Sequence, residues 1–144
     1  MNKNLGSSTI MNSPEFVVLI VEDNHFQLST MITILKRLNV KFDAAQNGMM
    51  AVHTFLQKAK EGKFYSLILM DLLMPIKDGY VATEEIRQIE NEKNLKRSYI
   101  CGLSIDKNEE IDDKCQKSGM DNNIKKPLGT VELNKLIENI GFKI

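Results

Sequence analysis

An apolar run that closes on a carboxylate, Leu67-Ile68-Leu69-Met70-Asp71, is the first place in this sequence where chemistry can be expected. Runs of Leu, Ile and Met ended by a turn signal, here Met74-Pro75, form strands buried on both faces, as in a parallel sheet. An ionised Asp just past such a strand is costly unless something compensates it. A second run, Phe16 to Val21, ends the same way on Glu22-Asp23. If both strands lie parallel in one sheet, their carboxyl ends share an edge, where the ligands of open α/β sheets bind. The same edge would receive Ser104 at the end of a later strand and Lys126 just before Pro127. Three carboxylates in one crevice repel by about 4 kcal/mol per pair at roughly 4 Å and an effective dielectric of about 20. Oxygen donors without His or Cys suit a hard divalent cation, so Mg²⁺ is the expected cofactor of Glu22, Asp23 and Asp71. Asp71 would then be both ligand and nucleophile, with the Ser104 hydroxyl and the Lys126 ammonium available to a phosphoryl group.

The elements that must position these groups follow from periodicity. Strands are expected near 16–21, 41–45, 65–70, 99–104 and 122–125, the last resting on the weakest pattern, Asn122-Asn123-Ile124-Lys125. Helices are expected near 25–39, 48–61, 78–94, 107–118 and 130–140. In the first helix Leu28, Met31, Ile32, Leu35 and Leu38 recur on one face, and in the last Leu133, Leu136, Ile137 and Ile140 do the same. Asp23 or Asn24 can cap the first helix and Thr130 the last, Asn47-Gly48 marks a turn, and Gly119 sits where a helix-ending glycine belongs. Met49, Met50, Met70 and Met74 read as core and loop packing. Five strand–helix repeats predict an α/β fold, a parallel sheet covered by helices on both faces.

Composition narrows the class. The 144 residues are enough for one domain with a genuine core. Residues 1–14 are polar and small and read as a disordered lead-in, leaving 15–144 as the domain; no second domain is expected within the sequence. Lys+Arg and Asp+Glu stand at 19 each, so no net field draws the chain to nucleic acid or to anionic lipid. No apolar stretch approaches the roughly 20 residues of a membrane span, and no signal-peptide pattern opens the sequence. Cys101 and Cys115 lack metal-ligand spacing and fit a reducing cytoplasm.

Four short motifs, in order and on the expected elements, carry a family resemblance: Val-Glu-Asp-Asn at 21–24, Met-Asp-Leu-Leu-Met-Pro-Ile-Lys-Asp-Gly at 70–79, Leu-Ser-Ile at 103–105 and Lys-Lys-Pro at 125–127. From about Phe16 to Ile140 the chain resembles the receiver domain of two-component response regulators, most closely the receivers of hybrid histidine kinases. The resemblance implies a flavodoxin-like (βα)5 sheet of strand order 2-1-3-4-5. It implies that Asp71 accepts phosphate from the phosphohistidine of a histidine kinase or histidine phosphotransfer protein. Glu22 and Asp23 match the acidic pair that holds Mg²⁺, with the Leu73 backbone carbonyl as a further ligand. Ser104 matches the hydroxyl that swings to the phosphoryl oxygen and Lys126 the lysine that pairs with it. Pro127 is expected to follow a cis peptide. The domain would be a monomer or weak dimer that signals through its surface and turns over no external substrate.

The chain also departs from the family pattern. Glu22 stands where Asp is commoner, Ile105 where a small residue is usual, Lys77 where an apolar one is frequent, and Asn123 where many members carry a switching aromatic. His25 and His53 read as surface or structural residues, and Glu109, Glu110, Asp112 and Asp113 as a solvated helix face. The main rival reading is a phosphorylation-independent interaction module on the same fold, which would have no need to keep an unneutralised acidic crevice. A haloacid dehalogenase-type phosphatase would want a second Asp where Leu73 stands, and a nucleophile on the first strand.

Overall fold

The computed structural model describes residues 15–141; the lead-in expected over residues 1–14 lies outside the described residues. Five strands, β1 (Val17–Val21), β2 (Lys41–Ala45), β3 (Leu67–Asp71), β4 (Tyr99–Ser104) and β5 (Asn122–Lys125), alternate with five helices. The helices are α1 (His25–Arg37), α2 (Gly48–Lys60), α3 (Gly79–Glu92), α4 (Glu109–Ser118) and α5 (Thr130–Asn139). Every strand pair is parallel, in the order β2-β1-β3-β4-β5. This is the expected flavodoxin-like, doubly wound sheet.

Side-chain alternation along the strands divides the interior into two layers. Val17, Leu19, Val21, Ile68, Met70 and Ile100 pack against Ala51 and Phe55 of α2, Ala82 and Ile86 of α3, and Cys115 of α4. Val18, Ile20, Leu67, Leu69, Cys101 and Leu103 pack against Leu28, Met31 and Leu35 of α1 and Leu133 and Ile137 of α5. Because helices cover both faces, β1 and β3 are buried along their whole length, which is why they read as unbroken apolar runs. Each fully buried Leu or Ile contributes about 1.5–3 kcal/mol, and truncating one to Ala costs about 2–5 kcal/mol. Cys101 and Cys115 are free thiols in opposite layers.

Helix starts are set by side chains that accept otherwise unpaired amides. Asn24, Asn47, Asp78 and Asn108 accept from the N–H groups of Gln27, Met50, Val81 and Ile111. Gly119 closes α4 at φ 108°, in the left-handed region that glycine enters without steric cost. Two expectations need correction. Thr130 does not cap α5: Gly129 is the capping position, Thr130 is the first helical residue, and Glu132 reaches back to accept from the Gly129 N–H at 3.0 Å. Met49 and Met50 are exposed on the first turn of α2 rather than packed; the inward face of that helix is taken by Ala51 and Phe55.

At the amino edge of the sheet, Arg87 on α3 holds the starts of β4 and β5. Its guanidinium donates to Glu90 at 2.7 Å and, at 2.8 Å each, to the carbonyls of Gly119 and Ser98 and to Asp121. Glu90 is buried, and its second oxygen accepts from the Ser98 N–H at 2.8 Å.

Candidate functional site

The carboxyl edge gathers the residues singled out by chemistry. β1 runs directly into Glu22, whose backbone N–H donates to the Ala45 carbonyl at 3.0 Å and whose side chain is 1 % exposed. Asp23 follows, half-buried, before the Asn24 cap starts α1. Asp71 is the last residue of β3 rather than the residue after it, and it is 5 % exposed. The start of α3 presses against it: a β-carbon on Gly79 would collide with the Asp71 carbonyl oxygen, so only glycine fits there. Ser104 ends β4. The Lys126 N–H then donates to the Ser104 carbonyl at 2.7 Å, and the Lys126–Pro127 peptide is cis, as expected.

One carboxylate oxygen from each of Glu22, Asp23 and Asp71 lies within 4.8 Å of the others. Lys126 reaches into the same space, with its Nζ 3.0 Å from Glu22 Oε1 and 3.1 Å from Asp71 Oδ1. Burial, together with the facing Glu22 carboxylate, pushes the Asp71 carboxyl up to about 7, and Lys126 only partly offsets this. Burial works against the Lys126 ammonium, but Glu22 and Asp71 together hold its pKa above the ordinary lysine value. Three carboxylates and one ammonium leave two negative charges uncompensated when all are ionised. That surplus, on hard oxygen donors, fits a divalent cation such as Mg²⁺.

The surrounding cavity, about 460 Å³, is lined by all of Glu22, Asp23, Asp71, Leu73, Ser104 and Lys126. The six positions assigned to the site from the sequence therefore line one cavity. The Leu73 side chain points out and is exposed. The Ser104 hydroxyl donates to the Asp106 carbonyl at 2.5 Å. Ile105 is exposed at the cavity's rim. Lys77 is held in an ion pair with Glu85 at 2.6 Å.

Gln27 and Tyr80 are among the lining residues that the sequence reading passed over. Gln27, on the first turn of α1, accepts from Lys126 Nζ at 2.7 Å, the shortest of the three contacts of that ammonium. Nothing local marked it, because the lysine it meets lies 99 residues further along the chain. Tyr80, just inside α3, is buried beneath the Lys114 ammonium, which lies 4.4 Å from its ring centroid. Asn123 and Asp112 also differ from expectation. The Asn123 side chain is already buried and donates to Asp112 at 2.9 Å, and Asp112 pairs with Lys107 at 2.6 Å rather than standing on a wholly solvated face.

The sequence model of the response regulator receiver domain matches residues 18–138. This chain belongs to that family. It is a receiver domain of the two-component type. It is 37% identical over 125 residues to the peroxide stress-activated histidine kinase mak1 of Schizosaccharomyces pombe, an alignment covering 87% of this chain and 8% of that protein. The chain thus spans less than a tenth of that relative's length. Among solved structures, the receiver domain of the sensor histidine kinase PA1611 from Pseudomonas aeruginosa, with a magnesium ion in its active-site cleft, matches with a TM-score of 0.75 and 30% identity. That match covers 89% of this chain and 99% of that one. A co-crystal structure of Saccharomyces cerevisiae Ypd1, a histidine phosphotransfer protein, and the receiver domain of its downstream response regulator Ssk1 matches with a TM-score of 0.77 and 27% identity, over 89% of this chain and 90% of that one. No helix among the described residues is long and apolar enough to cross a membrane.

Proposed function

We propose that this receiver domain accepts a phosphoryl group on Asp71 from the phosphohistidine of a histidine kinase or histidine phosphotransfer protein and passes the signal on through its surface. The observation that carries this reading is the meeting of three carboxylates and Lys126 at one sheet edge, in a cavity that Ser104 also lines. Glu22, Asp23, Asp71 and the Leu73 backbone carbonyl would hold Mg²⁺, which supplies charge neutralisation for the carboxylates and for the incoming phosphoryl oxygens. An Asp71 carboxylate oxygen attacks phosphorus as the phosphorus–nitrogen bond to imidazole breaks, and the released imidazole nitrogen takes up a proton. Lys126 meets the charge gathering on the phosphoryl oxygens. Ser104 exchanges its bond to the Asp106 carbonyl for one to a phosphoryl oxygen, and so moves the loop that leads into α4. The domain supplies these groups for its own modification and acts on no external substrate.

The donor's docking surface is the apolar rim of the crevice. Leu73 and Ile105 line the cavity, Phe26 precedes the lining residue Gln27 and Ile76 follows in the loop after β3; all four are more than two-thirds exposed, an apolar patch that needs a partner. The relatives are receivers of histidine kinases or partners of a histidine phosphotransfer protein, which supports a donor of that class.

Incubation with Mg²⁺ and a small phosphodonor, read by intact mass, tests the reading. The wild type should gain one phosphate and Asp71→Asn none, and EDTA or Asp23→Asn should abolish the gain. A phosphate mapped to Ser104 or His25 would overturn the assignment. Phe26→Ala should slow transfer from a phosphorylated histidine phosphotransfer protein while leaving the small-donor reaction unchanged.

A further inference from the structure

We infer that Gln27 is a positioning residue for the phosphotransfer chemistry, holding the Lys126 ammonium in place by a contact that does not depend on the carboxylates. The inference rests on the phosphoacceptor reading of Asp71. Lys126 Nζ has three protons and meets three acceptors: Glu22 Oε1 at 3.0 Å, Asp71 Oδ1 at 3.1 Å and Gln27 Oε1 at 2.7 Å. Two of the three are carboxylates of the acidic cluster that a divalent cation would engage. A cation there would take up their lone pairs and repel the ammonium with its own charge. Gln27 is neutral and lies outside that cluster, so its acceptor stays with Lys126 when the other two are withdrawn.

The glutamine is itself held. Its backbone N–H donates to the Asn24 side chain at 2.9 Å, and the Asn24 N–H donates to Glu22 Oε2 at 3.2 Å. The loop that carries the acidic pair therefore also fixes the residue that aims the lysine. This ties α1 to the turn after β5, 99 residues away. A lysine stem has four rotatable carbons and a high entropy of its own. Without the Gln27 contact, a cation in the crevice would release the ammonium to solvent instead of leaving it where phosphoryl charge develops.

The test combines a spectroscopic readout with rates. In wild-type protein carrying Mg²⁺, at mildly acidic pH, the Lys126 ammonium should exchange slowly enough to give a resolved ¹⁵Nζ resonance. Gln27→Leu, which keeps the bulk and removes the acceptor, should broaden or lose it, whereas Gln27→Glu, which keeps an oxygen at the same reach, should retain it. With Mg²⁺ and a small phosphodonor, Gln27→Leu should phosphorylate about tenfold more slowly, a fraction of the 10²–10³-fold that loss of a whole charge-stabilising donor costs. Gln27→Glu should recover most of the rate. Gln27→Leu combined with Lys126→Ala should be no slower than Lys126→Ala alone, the non-additivity of residues that act as a unit. An unchanged Lys126 resonance and rate in Gln27→Leu, or multiplying losses in the double variant, would overturn the inference. The resonance needs no phosphate. Failure of the wild type to gain phosphate would therefore sink the functional reading and leave the Gln27–Lys126 contact to be judged on its own.

Discussion

Ile76 sits in the loop between β3 and α3 at φ 72°, a left-handed conformation that a β-branched side chain rarely adopts. Its side chain is exposed, so no packing contact offsets the strain, which is of the order of 1–2 kcal/mol for a residue with a β-carbon. Ile76→Asn, a residue that tolerates this region, should raise stability by about 1 kcal/mol in urea titrations with an unchanged m-value. An exposed apolar side chain at so strained a position agrees with a role in docking. Asp71 shows a second cost, since it is buried against Glu22 with only Lys126 to compensate. Asp71→Asn should therefore raise the melting temperature of the metal-free protein and remove the further rise that Mg²⁺ is expected to give the wild type. Leu73 stands exposed beside the crevice and cannot hydrogen-bond a water aligned for hydrolysis. Leu73→Asn should shorten the lifetime of the phosphorylated protein, followed as phosphate decay after the donor is removed. General acid–base help of this kind reaches 10²–10⁴-fold at full strength.

Between elements, the polar ties matter more than the sequence suggested. Tyr65, just before β3, donates its hydroxyl to Asp43 of β2 at 2.6 Å, and Lys58 of α2 lies 3.1 Å from the same carboxylate oxygen. The Tyr65 hydroxyl first, and Lys58 after it, hold the Asp43 carboxyl below its ordinary value. A lowered carboxyl pKa gives stability that is present above the unfolded value of about 3.9 and is lost as pH falls through the folded one. Tyr65→Phe should thus cost about 1 kcal/mol near neutrality, after allowance for the partial exposure of Asp43, and the difference should shrink below about pH 4. Guanidinium melts of the two proteins across that range give the comparison. Asparagine caps were legible as a class, because Ser, Thr, Asp and Asn are the residues that accept helix amides. The choice between Asp23 and Asn24 was not, since both can cap; it is settled by Asp23 joining the acidic cluster. Thr130 failed as a cap for a related reason: Glu132 reaches back to the Gly129 amide and moves the start of α5 one residue earlier. The partnership of Asn123 with Asp112 joins residues 11 apart through a helix–strand contact that no local pattern encodes.

Across the whole molecule, a parallel sheet and its acidic crevice were legible because two unbroken apolar runs ended on acids and parallel strands place all such ends on one edge, whereas the strand order followed only from the family resemblance. Gln27 was not legible, because its role depends on the reach of a lysine that enters from the far end of the chain. The amino edge was equally hidden: nothing local sets Arg87 and Glu90 apart from other helix charges, yet Glu90 is buried between that guanidinium and the Ser98 N–H. Glu22 and Lys126, which touch in the crevice, are 104 residues apart. During synthesis at about 5–20 residues per second, roughly 5–20 s separate the appearance of the first acid from that of the lysine. Throughout that interval the emerging chain carries two of its three acids and then the third, with no ammonium among them and no closed sheet to bring them together. On the phosphoacceptor reading, a nascent or truncated chain would be deaf to a phosphodonor, and responsiveness would arrive in one step when the last strand docks.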